Sequence, residues 1–71
     1  MIKFEKGQIY IGSDTDIIVK GAYRGMVRFI EGCSPAAIHN MQEIPAENLE
    51  AYMNKWGFKR ADPEYEAFLN A

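Results

Sequence analysis

Residues 8–30 read QIYIGSDTDIIVKGAYRGMVRFI, and the fold turns on how that stretch divides. Three β-rich runs, Gln8 to Ser13, Ile17 to Ala22 and Met26 to Ile30, alternate with turn chemistry at Asp14-Thr15-Asp16 and Tyr23-Arg24-Gly25. Branched and aromatic side chains suit a pleated surface, while Asp and Gly suit chain reversal. The division predicts a three-stranded antiparallel meander. A three-residue loop ending in Gly25, which tolerates positive φ, pairs Ala22 with Met26, Lys20 with Arg28 and Val19 with Phe29. Ile17, Val19, Val27 and Phe29 then share one face, and a similar loop over Asp14 to Asp16 adds Ile9 and Ile11 to it. The opposite face carries Tyr10, Lys20 and Arg28 in one row with Ile18, Met26 and Ile30 around them. That face is half apolar and needs a cover.

Beyond residue 44 the texture becomes helical. Leu49, Tyr52, Met53 and Trp56 fall at i, i+3, i+4 and i+7, an apolar stripe that predicts a helix over 45–56 packed on the sheet. Pro45 suits its first position, Glu47 and Glu50 its positive end, and Gly57-Phe58 a left-handed stop with a hydrophobic clasp. Asp62-Pro63 opens a second, short helix carrying Tyr65, Phe68 and Leu69. Residues 33–44 fit neither period cleanly. Ile44 precedes a proline and is pushed towards extended geometry, which favours a fourth strand ending there over a short helix capped by Ser34.

These elements sum to an α+β domain spanning 1–71. An antiparallel meander of three to four strands is packed by a helix and a short terminal helix, with a small open barrel as the neighbouring alternative. A chain of 71 residues holds one modest core, and its 48% hydrophobic and 25% charged content is that of a globular protein. Cys33 is the only cysteine and His39 the only histidine, so neither a disulfide nor a metal staple is available within one chain. An unpaired cysteine and an N-terminus without a secretory pattern place the protein in the cytoplasm, that of the host if it is encoded by a phage. No apolar run approaches the roughly 20 residues that span a bilayer, so no membrane partner is expected.

The sharp catalytic signatures are missing: no phosphate-binding Gly-rich loop, no nucleophile elbow and no metalloprotease helix motif. Asp14 and Asp16 start like a calcium loop, but the further oxygen ligands, the central glycine and the distal glutamate do not follow. Cys33, His39 and Glu43 are mismatched as metal ligands, and Cys33 with His39 lacks an oxyanion site. No enzyme, cofactor or metal is expected.

Binding is the remaining class. Net charge is −2, yet residues 1–33 carry five bases against four acids and residues 34–71 three against six, so any basic face lies in the first half. Lys20, Tyr23, Arg24 and Arg28 form its basic and aromatic cluster. The run Arg24 to Phe29 fails as an RNA-recognition strand, which needs an aromatic where Met26 stands and an aliphatic where Arg28 stands. Lys20 opposite Arg28 requires an intervening acid, for which Glu31 or an acid of the terminal helix is a candidate, or a bound anion. Nine aromatics exceed what so small a core hides, leaving exposed Tyr and Met side chains as interface anchors. The candidate partner-binding residues are Tyr10, Lys20, Tyr23, Arg24, Met26, Arg28 and Tyr65.

The opening Phe4-Glu5-Lys6-Gly7-Gln8-Ile9-Tyr10 resembles that of small bacterial and phage accessory proteins beginning Phe-x-x-Gly-x-x-Tyr and continuing as a β-meander, over about the first half of the chain. The resemblance implies a compact, non-enzymatic inhibitor or adaptor of a host complex, such as a defence system, with a protein as partner. A nucleic-acid-binding domain is the alternative, and homodimerisation through the half-apolar face a third.

Overall fold

The computed structural model describes residues 2–32 and 41–70. Five strands, β1 (Ile9–Ile11), β2 (Asp16–Tyr23), β3 (Met26–Glu31), β4 (Gln42–Pro45) and β5 (Lys59–Arg60), form one antiparallel sheet in the order β4-β3-β2-β1-β5. Helices α1 (Ala46–Trp56) and α2 (Pro63–Leu69) follow β4 and β5. The α+β meander with packed helices is as expected, and the predicted fourth strand is present as Gln42–Pro45. The earlier part of that segment, with Cys33, Ser34 and His39, lies outside the described residues. β5 has no counterpart in the sequence reading because two charged residues carry no strand pattern.

The turn chemistry sets the registers, and both hairpins differ from the loops expected. The β2–β3 turn is the two-residue pair Arg24-Gly25, with φ of 52° and 78°, between the partners Tyr23 and Met26. Both central residues at positive φ make the twist of a tight hairpin turn that matches its strands. The register it sets, Ala22 with Val27 and Gly21 with Arg28, is one residue out of step with Val19–Phe29, and Lys20 takes up the difference as a β-bulge. Lys20 is therefore not opposite Arg28. Arg24 lacks the freedom glycine has at positive φ, so Arg24→Asn is expected to stabilise the fold by about 0.5–1 kcal/mol, read as a higher urea midpoint.

In the β1–β2 hairpin the Gly12 N–H donates to the Thr15 carbonyl at 2.9 Å, and Asp16 is already in β2, paired with Ile11. The tighter loop shifts the register by an odd number of residues, which exchanges the two faces of β1. Tyr10, paired with Ile17, points into the core, whereas Ile9 and Ile11 lie on the opposite face. This corrects two expectations: Tyr10 is 5% exposed and cannot anchor a partner, and Ile11 is exposed.

The core therefore consists of Phe4, Tyr10, Ile17, Val19, Val27 and Phe29 against Leu49 and Met53 of α1. Each fully buried aliphatic side chain contributes roughly 1.5–3 kcal/mol. Tyr10 meets Phe4 edge to face at 5.9 Å. Its hydroxyl donates to Gln8 Oε1 at 3.0 Å, and Gln8 Nε2 donates to the Lys3 carbonyl at 3.0 Å, so the buried polar tip is satisfied. Burial pushes the Tyr10 pKa above the usual tyrosine value, partly offset by Arg60, which keeps the phenol in its donating form. On the other face Ile9, Ile18 and Ile30 form one cross-strand row, in which Ile9 and Ile30 are buried and Ile18 half-buried.

Pro45 ends β4 and caps α1 from an extended backbone, so the helix begins one residue later than expected, and the Ala46 N–H goes to the Gly25 carbonyl at 2.8 Å. Gly57 closes α1 at φ 73°, and the Phe58 N–H returns to the Met53 carbonyl at 3.0 Å, the left-handed stop and clasp read from Gly57-Phe58.

A carboxylate completes the edge at β1. Ile9 accepts a hydrogen bond from the Ala61 N–H at 2.8 Å, but Pro63 turns the chain away into α2 before a strand carbonyl can meet the Ile9 N–H. Glu66 substitutes for that carbonyl, accepting the Ile9 N–H at 2.9 Å while ion-paired with Arg60. The Asn70 side chain adds a donor to the Gly7 carbonyl at 2.8 Å. The bond from Arg60 holds the Glu66 pKa below its ordinary 4.5, with the Ile9 N–H acting in the same direction. A lowered pKa in the folded state means stability that is complete above pH 4.5 and lost as pH falls through the lowered value. The urea midpoint of Glu66→Gln is accordingly expected to fall less than that of the wild type between about pH 7 and about pH 3; equal falls would exclude this role.

Candidate functional site

The predicted binding residues fall into three places. Tyr23, Arg24, Met26 and Arg28 gather at the β2–β3 hairpin end, with Lys20 in the bulge; Tyr10 is in the core; Tyr65 stands exposed on α2. The acid that accompanies Arg28 is Glu43, its cross-strand partner on β4, and not Glu31. Glu43 Oε2 accepts from Arg28 at 3.2 Å and from the Tyr23 hydroxyl at 3.1 Å. The charge and the phenol that would meet a phosphate are thus engaged within the chain. Met26 pairs with Pro45 and is half-buried, and Ile30 is buried, so the outer face is less open than its sequence suggested.

A different surface is more open. Of the four stripe residues of α1, Leu49 and Met53 are buried, but Tyr52 and Trp56 are exposed, Trp56 to 58%. Eleven residues make a helix about 16 Å long. Its first two turns cover the sheet, and its last brings Trp56 beside the β1–β2 turn. Phe58 folds back next to them, its ring 5.8 Å from that of Tyr52 and tilted by 35°. The approach is close enough that a Cβ at Gly12 would stand 2.7 Å from the Phe58 ring and 2.9 Å from the Thr15 carbonyl, so only glycine fits there.

Tyr52, Trp56 and Phe58 line a hollow of about 90 Å³ closed on its other side by Ser13, Asp14 and Thr15. Tyr52 also borders a second hollow of about 200 Å³ with Phe29, Glu31, Gln42 and Ile44. Its hydroxyl donates to Glu31 Oε2 at 2.7 Å, and that bond chiefly raises its pKa above the usual tyrosine value. The Lys55 ammonium lies 5.5 Å from the Trp56 ring. On α2, which buries no side chain, Phe68 is 76% exposed. Sequence reasoning missed Trp56 because its period matches the buried stripe. The signal that could have found it is its place directly before the Gly57 stop, at the overhanging end of the helix.

Among the described residues no group of three His, Cys, Asp or Glu side chains could hold a metal, and no helix is long and apolar enough to cross a membrane. No family model, curated protein or solved structure matches the chain.

Proposed function

We propose that this chain is a non-enzymatic protein-binding module that docks its partner through the Tyr52, Trp56 and Phe58 surface, and that by occluding the partner it serves as an inhibitor or adaptor of a larger complex. The observation that carries this reading is the exposed Trp56, flanked by two aromatic rings and set over a hollow. Trp and Tyr supply large contact area at low entropic cost and dominate the energetics of interfaces. The resemblance of the Phe4 to Tyr10 opening to phage and bacterial accessory proteins points the same way, with a host complex as the target.

The nucleic-acid alternative has less support. Lys20 and Arg28 do not form a pair, Glu43 neutralises Arg28, and the chain carries a net charge of −2. The test is capture from native bacterial lysate on the tagged protein, with and without nuclease, comparing wild type with a Lys20→Glu, Arg28→Glu variant. A protein recovered stoichiometrically whether or not nuclease is added, and by the variant too, is the expected result. Recovery only with nucleic acid, lost in the variant, would overturn the reading. So would recovery of the chain alone, as a dimer in light scattering.

A further inference from the structure

The two hollows flanking Tyr52 are small. An α-helix is about 10 Å across with its side chains and needs a wide groove, whereas spaces of about 90 and 200 Å³ admit single side chains. They lie on either side of one aromatic ridge, and a third hollow of about 280 Å³, formed by Gly12 to Asp16 with Gly32, continues from the shared Ser13, Asp14 and Thr15. A ridge between side-chain-sized depressions suits an extended chain. It suits a polyproline II chain best, which turns every three residues and so presents positions i and i+3 along one edge without side chains crowding between them.

The donors along the track match such a chain. Polyproline II carbonyls are free of internal hydrogen bonds, and the Trp56 indole N–H makes no hydrogen bond within the described residues, while Ser13, Thr15 and Gln42 offer further donors. Proline rings pack on exposed Trp and Tyr faces, and an already extended segment loses little entropy on docking.

The charges select the ligand further. Glu31 lines one hollow and Asp14 the other two, and among the described residues no lysine or arginine lines any of them. The Lys55 ammonium lies over the Trp56 ring, a position that a cation of the ligand would take in its place. We infer that the track past Trp56 and Tyr52 binds a proline-containing polyproline II segment of the partner that carries a basic residue, an inference resting on the protein-docking reading of the same surface.

The probe is the peptide acetyl-Arg-Pro-Leu-Pro-Pro-Leu-Pro-amide, titrated into the ¹⁵N-labelled protein. Two controls accompany it, one with every proline replaced by alanine and one with arginine replaced by glutamate. The expected result is saturable shift changes centred on the Trp56 indole, Tyr52 and Ser13 to Thr15, at least about tenfold weaker binding for either control, and a similar loss in Trp56→Ala and in Asp14→Lys. Asp14 is an exposed turn residue, so its variant keeps the test valid should Trp56→Ala disturb the fold. No saturable shift up to about 1 mM peptide, equal binding of the alanine control, or binding that survives both substitutions would overturn the inference. A captured protein partner whose binding depends on Trp56, alongside a peptide that does not bind, would refute the polyproline chemistry and leave the docking surface standing. Failure of both would remove the surface as well.

Discussion

Leu49→Ala is expected to lower the free energy of unfolding by about 3 kcal/mol, with the urea midpoint reduced and the slope of the transition unchanged. Leu49 is fully buried in the N-terminal half of α1, against the sheet face made by Ile17, Val19, Val27 and Phe29. Truncation loses the transfer free energy of the removed carbons and leaves a cavity, because the neighbouring strands are held by their ladders and cannot close over it. A domain of 71 residues has roughly 4–10 kcal/mol of stability in all, so the loss is about three-tenths of it or more. Circular dichroism in urea measures it. A loss under about 1 kcal/mol would mean that α1 is not seated on this face.

The meander was legible because its turns carry strong chemistry. Gly25 admits the positive φ that the second hairpin needs, and Gly57-Phe58 ends α1 where expected. The register beyond the bulge was legible too, since Val19 and Phe29 are partners in either loop. The first hairpin was ambiguous for a physical reason: Ser13, Asp14, Thr15 and Asp16 all favour turns, so loop length is underdetermined, and an odd error in length exchanges every side chain between faces. That ambiguity put Tyr10 on the surface and Ile9 in the core cluster. Glu43 beside Arg28 depends on β4 lying next to β3, a pairing across more than a dozen residues that local sequence does not encode. Glu66 acts as a surrogate strand carbonyl only because Pro63 diverts the chain, which a helical wheel cannot reveal.

The candidate surface was legible in type and not in place. Surplus aromatics implied an exposed anchor, and the periodicity of α1 assigned its tryptophan to the core. Exposure of Trp56 instead separates folding from binding, since a side chain 58% exposed contributes little to the core. Trp56→Ala is therefore expected to weaken partner binding at least about thirtyfold, roughly 2 kcal/mol, while moving the urea midpoint hardly at all. Its indole covers the hollow shared with Tyr52 and Phe58, and truncation would remove the ring and rehydrate the neighbouring apolar surface. Tyr23→Ala is the matched control, because Tyr23 is an exposed tyrosine on the hairpin, outside this surface, bonded to Glu43.

Calorimetric titration of the purified protein partner with wild type, Trp56→Ala and Tyr23→Ala tests the account most directly. The expected result is the thirtyfold loss for Trp56→Ala and a change under about threefold for Tyr23→Ala. The reverse order, or equal affinities for all three proteins, would contradict it.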